Sequence, residues 1–200
     1  MRTIKKTKII VIGILFILFF TTWYLMEDQK VTYSEVHAKQ LSFKTSEEMI
    51  EFSELIVLGR AMASENFVNY DKDGFTDDAY TITQFKIDSI LEEDKKTNLK
   101  AGDIIKVAEP TYIVDKGISP GKIHFSINNY QNMNDTDKYL LLLVPDVKYQ
   151  DLYVILGVNE GKHNIERIEA DKEKEGVPQE DKNKKFKEEL MSRFNIKPPM

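Results

Sequence analysis

Cysteine is absent from all 200 residues of the chain. Its absence excludes disulfide bonds, which often stabilise small exported domains, and it excludes the lipid-modified cysteine of a bacterial lipoprotein. A hydrophobic core must therefore supply the stability. The stretch 45–170 is long enough to form one ordinary domain with such a core.

Basic residues are scarce once the N-terminus is set aside. The chain has 28 Lys and Arg against 33 Asp and Glu, and four of the basic residues, Arg2, Lys5, Lys6 and Lys8, lie in the first eight positions, which leaves 24 against 33 and a net charge of −9. Nucleic acid requires a basic surface opposite its phosphates. We therefore expect no nucleic-acid partner, and docking on anionic lipid is disfavoured by the same charge.

Recognisable catalytic motifs are missing as well. There is no phosphate-cradling glycine loop, zinc-ligand spacing or dinucleotide fingerprint. Residues 117–121 (Gly-Ile-Ser-Pro-Gly) match the letters of a nucleophile elbow, but Pro120 has no N–H for an oxyanion hole, so a turn is predicted. His37, His124 and His163 have no carboxylates at metal-ligand spacing, and they are predicted to be surface residues.

The most informative stretch is the apolar run 9–26, directly after the four basic residues. A helix of that length spans about 27 Å, close to the ~30 Å hydrocarbon core of a bilayer. The bulky residues that end it (Trp-Tyr-Leu-Met) do not suit signal-peptide cleavage. We predict a transmembrane signal-anchor helix, with residues 1–8 cytoplasmic and the chain from Glu27 outside. A cleaved signal, giving a secreted protein, is the alternative.

The polar stretch 27–44 is predicted to be a stalk. Val31, Tyr33, Leu41 and Phe43 alternate with polar residues, so part of it could pair as a strand against the domain, and an extended tether is the alternative. Thr45 and Glu48 stand at capping-box spacing, which predicts a short helix over 45–53.

A strand-like pattern then continues for about a hundred residues. Gly59, inside the first strand, indicates a sharp bend or a close backbone approach, and the apolar phase slips near Thr83 and Gln84, which predicts a β-bulge there. Turns without intervening helices separate the strands, which favours an antiparallel barrel or sandwich. The predicted strands are 55–64, 79–91, 103–108, 123–127, 139–144, 152–156 and 162–168.

A resemblance is carried by five segments: 54–60 (Glu-Leu-Ile-Val-Leu-Gly-Arg), 80–83 leading to Ile90 and Leu91, 99–107 (Leu-Lys-Ala-Gly-Asp-Ile-Ile-Lys-Val), 139–143 (Tyr-Leu-Leu-Leu-Leu), and 153–157 with Gly161 and Lys162. In these segments the chain resembles a mostly uncharacterised family of small exported proteins of Gram-positive bacteria. The order of its strands is also similar to the OB-like barrel of netrin-type and metalloproteinase-inhibitor domains. The resemblance implies an OB-like barrel at the cell envelope. It does not imply inhibition, because those inhibitors act through an N-terminal cysteine.

One loop has part of a calcium-site pattern. Asn69, Asp71, Asp73, Gly74 and Asp77 stand at positions 1, 3, 5, 6 and 9 of an EF-hand-like loop, where oxygen ligands would wrap Ca²⁺. Position 12 is Tyr80 instead of the bidentate glutamate. The calcium candidate is therefore incomplete, and a polar hairpin turn is the alternative. No other cofactor is predicted.

The composition becomes strongly charged in residues 171–200. Residues 171–175 alternate Asp or Glu with Lys, which is typical of a solvated linker. Phe186, Leu190 and Phe194, with Met191 beside them, then mark an amphipathic helix that begins near Pro178. Its apolar stripe either docks on the domain or on a neighbouring copy, which is the favoured interpretation, or it binds a partner.

Together these features predict a mainly β protein: an antiparallel OB-like barrel over 45–170 with a short N-terminal helix and a C-terminal amphipathic helix, preceded by a transmembrane helix. The predicted function is a non-catalytic binding or assembly module of the cell envelope, with the membrane and a protein or a second copy as partners. An envelope enzyme with scattered catalytic residues and a calcium-dependent adhesion module are the alternatives.

Overall fold

The computed structural model describes residues 2–93, 98–166 and 178–197, apart from the side chains of residues 2–11 and 178–180. Three helices and nine strands lie within this part of the chain. In chain order they are α1 (Arg2–Asp28), β1 (Val31–Val36), α2 (Ser46–Phe52), β2 (Leu55–Tyr70), β3 (Thr76–Glu93), β4 (Ile104–Glu109), β5 (Thr111–Asp115), β6 (Lys122–Ile127), β7 (Lys138–Pro145), β8 (Leu152–Ile155), β9 (Lys162–Asn164) and α3 (Pro178–Arg193).

The fold is mainly β, as predicted. Among the described residues, six strand pairings are antiparallel, whereas β1 with β6 and β4 with β8 are parallel. Pairing runs from β2 through β3, β4, β8 and β7, and β7 pairs again with β2. β9 pairs with the first half of β7, and a separate three-stranded sheet has the order β1-β6-β5.

The apolar runs in β2 and β7 are buried on both faces, which explains why neither run alternates with polar residues. In β7, Leu141 and Leu143 pack into a first core with Phe85, whereas Leu140 and Leu142 pack into a second core. The second core lies between the sheet and the helices α2 and α3. A central position for the strand at 139–144 is thus confirmed.

Helix α2 begins where the capping box predicts. Thr45 is the N-cap, and its hydroxyl accepts a hydrogen bond from the Glu48 N–H at 3.1 Å. The Glu48 carboxylate reaches one residue further back than the motif requires, to the N–H of Lys44 at 2.7 Å. Met49 and Ile50 then face the second core.

The bulge predicted in β3 near Thr83 and Gln84 is wrong. Thr81, Thr83, Phe85 and Ile87 are all buried in an unbroken alternation. The register shift lies on the partner strand β2, between Ala61 and Ser64. The error arose because the two threonines point inward, where they form hydrogen bonds, so an apolar pattern assigns the wrong face to this half of the strand.

Gly59 permits a close approach of two backbones. A Cβ at this position would lie 2.1 Å from the Lys86 carbonyl oxygen and 2.6 Å from Cε1 of Phe85. Both distances are far below van der Waals contact, and the pairing register shifts next to this residue. The predicted close approach within this strand is confirmed.

The segment 27–44 is not an extended tether. Its first residues complete α1, and Val31–Val36 pairs along β6 as β1. The remainder is also attached, because Asn128 bonds the backbone of Ala38 at 3.1 and 3.0 Å and Phe43 is buried. The strand alternative for this segment is therefore confirmed.

Helix α3 docks on the domain rather than standing free. Phe186 and Leu190 are 2% and 0% exposed within the second core, and Met191, Phe194 and Ile196 pack at its margin. β9 is shorter than the predicted strand 162–168, whose last two residues lie outside the described ones. The predicted linker 171–175 also lies outside them.

Helix α1 exposes apolar side chains along its whole described surface, from Ile12 to Met26. Among the residues that the structure describes, no helix is long and apolar enough to cross a membrane.

Candidate functional site

Two loops of the domain lie against each other and form an aromatic surface. Phe67 and Tyr80 stack across the β2–β3 hairpin with ring centroids 4.8 Å apart. Tyr149, from the β7–β8 loop, lies edge-on to both rings, with centroids 6.0 Å and 6.4 Å away. The loop surface, as it is termed below, consists of Phe67, Tyr70, Phe75, Tyr80, Val147, Lys148 and Tyr149.

An aspartate fixes the shape of each loop. Asp71 Oδ1 accepts hydrogen bonds from the N–H groups of Asp73 and Phe75 at 2.9 and 2.8 Å. Asp146 Oδ1 does the same for Lys148 and Tyr149 at 2.7 and 2.8 Å. Side-chain turns of this kind hold a loop without a hydrophobic core beneath it.

The tips of both loops expose apolar groups that the fold does not use. Phe75 is 71% exposed, Tyr70 is 55% exposed and Val147 is fully exposed. A group of exposed apolar side chains around a rigid aromatic cluster is typical of an interaction surface. The loop surface therefore has the composition of a binding site for another macromolecule.

The rim of the loop surface is acidic. Lys148 Nζ lies 3.5 Å from Asp78 and 3.9 Å from Asp77. The hydrogen bond to Tyr149 and the nearby Asp78 raise the pKa of Lys148, and burial together with Asp78 raises the pKa of Tyr80 to about 12. The two loops and their flanks thus carry six aspartates against two lysines, Lys72 and Lys148. The acidic residues of the two loops and their flanks are Asp71, Asp73, Asp77, Asp78, Asp146 and Asp151.

The four candidate calcium ligands lie in the β2–β3 hairpin. Asp71 is occupied by the turn N–H groups, and the Asn69 amide nitrogen lies 3.4 Å from Asp77 Oδ2. In the part of the chain that the structure describes, no three His, Asp or Glu side chains are placed to hold a metal ion. The arrangement favours the polar turn for Asn69, Asp71, Asp73 and Asp77, and calcium binding stays a prediction.

Residues 117–121 form the turn between β5 and β6, and a strand, not a helix, follows them. The prediction of a turn is confirmed. His37 lies on the surface, while the ring of His124 packs against Tyr33 with centroids 5.2 Å apart. The surface prediction is wrong for His163, which is only 3% exposed.

A buried carboxylate lies at one margin of the first core. Glu109, at the end of β4, is 0% exposed. It accepts hydrogen bonds from the hydroxyl of Thr83, from the Tyr130 hydroxyl at 2.8 Å and from the Met133 N–H at 2.7 Å. Since Tyr130 and Met133 belong to the first core, Glu109 fixes the loop 128–137 that carries them.

Lys162 covers this network from β9. Its ammonium group lies 3.7 Å from the centroid of the Tyr130 ring and donates to the carbonyl of Gln131. Burial lowers the pKa of Lys162 to about 8, and burial beside Glu109 raises that of Tyr130. Perturbed groups of this kind occur at catalytic sites and in structural networks alike. Tyr130 is buried in the first core and Lys162 is half-buried over its ring, which favours the structural role here.

A second buried carboxylate ties α3 to the sheet. Glu160 is 0% exposed and forms an ion pair with Lys182 at 2.8 Å. It also accepts hydrogen bonds from the Ser42 hydroxyl at 2.9 Å and the Phe43 N–H at 3.0 Å. Three segments distant in sequence therefore meet at one side chain.

Acid should destabilise the domain through His163. Burial first, and then the charge of Lys187, lowers its pKa from 6.5 to about 4, although Glu160 acts in the opposite sense, and Nε2 has no hydrogen-bond partner among the described residues. Above pH 6.5 the histidine is neutral in both states. Between pH 6.5 and about 4, His163 is protonated in the unfolded chain but neutral in the folded chain. The free energy of unfolding therefore falls by up to about 3 kcal/mol as the pH drops.

Urea unfolding of the wild type and of His163→Leu, each at neutral pH and near pH 4, measures this effect. The variant should lose less stability on acidification than the wild type, because carboxylate titration is common to both. His37→Leu, at an exposed histidine, should retain the wild-type acid sensitivity. Equal losses in all three proteins would refute the assignment to His163.

A surface cavity of about 400 Å³ lies beside the C-terminal end of α3. Leu58, Ile165, Phe194 and Ile196 line it together with Lys138 and Glu166. A hydrogen bond from Arg60 lowers the pKa of Glu166, so this carboxylate is a poor general acid or base at neutral pH. The buried groups with displaced pKa values, Tyr130, Lys162 and His163, do not line this cavity.

Sequence reasoning missed the loop surface. Phe75 and Val147 gave a signal, since each is an apolar residue inside a turn cluster of Asp, Gly, Lys or Pro, where no core position exists. The contact between the two loops gave none, because it joins positions about seventy residues apart, for example Lys148 and Asp78.

Comparisons of this chain with protein-family models, with curated proteins and with solved structures found no match. The resemblance to exported Gram-positive proteins and to netrin-type domains therefore stays a prediction, carried by its five sequence segments.

Proposed function

We propose that this protein is a non-catalytic binding module of the cell envelope, which α1 holds at the membrane and which binds a protein partner through the loop surface. The observation that carries the proposal is that Phe75 and Val147 are exposed at the tips of two loops, which the cluster of three rings joins. The acidic rim favours a partner with a basic contact face, since complementary charge speeds encounter.

The anchor is supported by the apolar run 9–26 of the sequence and by the exposed apolar surface of α1. The helix has 27 residues, and its apolar side chains are exposed from Ile12 onward, for example Phe16 at 60% and Phe19 at 67%. An isolated apolar helix surface is stable in lipid and unfavourable in water. The proposed membrane-spanning segment is the whole run 9–26. It includes residues 9–11, whose side chains lie outside the described set. The basic flank supports a location of the domain outside the cytoplasm.

An OB-like barrel is our proposal for the body. It is supported by the return of the strand pairing from β7 to β2 and by the parallel pair β4 and β8. In OB-like barrels the loops between the first and second strands and between the fourth and fifth contribute to binding. The corresponding loops here are those of the loop surface, so the proposed fold and binding site agree.

The competing class, an envelope enzyme, would be favoured by a pocket into which titratable groups converge. Glu109 instead accepts hydrogen bonds from Tyr130 and from the Met133 N–H, and Lys162 donates to the carbonyl of Gln131. This arrangement supports the non-catalytic proposal.

Site-specific photo-crosslinking in intact cells tests the binding proposal. A benzophenone amino acid at position 75 should give a discrete protein adduct, whereas the same group at Phe52, an equally apolar residue that is 56% exposed on α2, should not. Introducing aspartate at Tyr70 and Val147 should reduce the adduct at position 75 by at least about tenfold, the effect of losing ~1.4 kcal/mol of affinity. Identical adducts at positions 75 and 52, or none at 75, would contradict the proposal.

A further inference from the structure

The turn between β5 and β6 lies beside the C-terminal end of α1. The Gly121 N–H donates to Asp28 Oδ1 at 3.2 Å, and the Lys122 N–H donates to the carbonyl of Lys30 at 2.9 Å. β1 then begins opposite β6, with Val31 paired to Lys122. Residues 117–120 therefore extend past the start of β1, toward the helix.

Gly121 allows this close contact. It is buried with φ of +104°, and a Cβ there would lie 3.2 Å from the Lys30 carbonyl and 3.4 Å from that of Glu27. The Lys116 N–H closes the turn on the Gly121 carbonyl at 3.0 Å. The turn is thus fastened to the end of the helix by backbone contacts, and a larger residue would push the two apart.

Ile118 stands at the tip of this turn and is 99% exposed. Its side chain packs into neither core. It is an isolated apolar side chain rather than part of a broad patch. Trp23 and Tyr24, in the last turns of α1, are 49% and 41% exposed. Aromatic residues at this position mark the interface of a bilayer.

The connection between α1 and the sheet is too short for the turn to move away. Only Gln29 and Lys30 separate α1 from β1. Lys116 adds a further tie, since its ammonium group donates to the Thr32 hydroxyl at 2.9 Å. If α1 crosses a bilayer, Ile118 must lie close to the point at which the helix leaves it.

We propose that the β5–β6 turn is a second membrane contact, in which Ile118 inserts into the outer interface of the bilayer that α1 spans. The inference rests on the proposed anchor. The occupant is lipid rather than protein because the turn is continuous with α1 and sits next to its interfacial aromatic residues. Two contacts fix the tilt of the domain, so the loop surface is held at a defined orientation to the membrane.

Depth-dependent fluorescence quenching in the full-length protein tests the inference, and the cysteine-free chain makes labelling specific. Ile118→Cys carries an environment-sensitive dye, and Val147→Cys, equally exposed on the loop surface, is the matched control. Both proteins are placed in phosphatidylcholine nanodiscs that contain lipids spin-labelled near the headgroup. Trp23, the only tryptophan, reports insertion of α1 independently when brominated lipids are used.

We expect Trp23 to be quenched in both variants, and the dye at position 118 to be quenched at least about twofold more than the dye at position 147. Quenching of Trp23 with equal dye quenching at the two positions would overturn the membrane contact and leave the anchor intact. Absence of Trp23 quenching would overturn the anchor and the membrane contact together. Ser119→Cys, one residue along the same exposed tip, replaces Ile118→Cys if that variant folds poorly.

Discussion

Replacing Glu109 with alanine should lower the free energy of unfolding by about 4 kcal/mol, in the range measured when one member of a buried charged network is removed. The side chain is fully buried and accepts three hydrogen bonds, from Thr83, Tyr130 and Met133. After truncation these donors remain buried without their acceptor. A loss of this size is a large part of the ~5–15 kcal/mol that stabilises an ordinary domain.

Two further variants separate charge from cavity formation. Glu109→Gln keeps the volume and one acceptor oxygen but brings an N–H₂ group toward existing donors, so we expect about half the loss. Glu65→Ala changes an exposed glutamate of β2 and should stay within about 0.5 kcal/mol of the wild type. The measurement is urea unfolding of the full chain in mild detergent, followed by circular dichroism.

Hydrogen exchange gives a local readout of the same network. The Met133 N–H bonds directly to Glu109, so its protection should collapse in Glu109→Ala under conditions where β7 amides remain protected. A loss below about 1 kcal/mol, or unchanged Met133 exchange, would show that Glu109 does not hold the loop 128–137.

The sequence predicts those parts of the fold whose information is local. The unbroken apolar runs in β2 and β7 predict doubly buried strands, and the structure divides each run between two cores. The Thr45 capping box predicts the start of α2 for the same reason, since the donor and acceptor lie three residues apart.

Long-range polar contacts could not be predicted in this way. Thr83 and Glu109 are polar residues, which a hydrophobicity pattern assigns to the surface. In the structure both are buried, and they form a hydrogen bond although they lie 26 positions apart in the sequence. His163 likewise follows Lys162 in a polar stretch, yet it is buried, and the charge of Lys187 on α3 acts on it. Polar side chains enter a core when tertiary structure supplies their partners, and a single sequence does not contain that pairing.

The loop surface was missed for a related reason. Its rings come from β2, β3 and the β7–β8 loop, and tertiary structure rather than any sequence motif brings them together. The calcium-site pattern lies in the same hairpin as the loop surface. In the structure, however, Asp71 accepts hydrogen bonds from the backbone of the turn. Sequence located the loop and structure identified its exposed apolar tips.

Phe186→Ala should destabilise the domain by about 4 kcal/mol, and Leu190→Ala by about 3 kcal/mol, because both side chains are deleted from close-packed surroundings. Phe186 is 2% exposed and Leu190 is 0% exposed, and both contact the second core with Met49 and Ile50 of α2. Glu188→Ala, at an exposed position between them, should change the free energy of unfolding by less than about 0.5 kcal/mol.

These variants distinguish the two interpretations of the apolar stripe on α3, which are docking on the domain and binding an external partner. If α3 binds only an external partner, the two alanine substitutions should leave the midpoint of urea unfolding unchanged. A helix that closes the second core exposes α2 and β7 when it detaches, so amides at Met49 and Leu142 should exchange faster in the double variant. The two sites lie one helical turn apart and share neighbours, so the loss in the double variant should differ from the sum of the two single losses. Because Lys182 of α3 also pairs with the buried Glu160, detachment removes this cation from the carboxylate, and the loss should then exceed what the two apolar side chains alone explain.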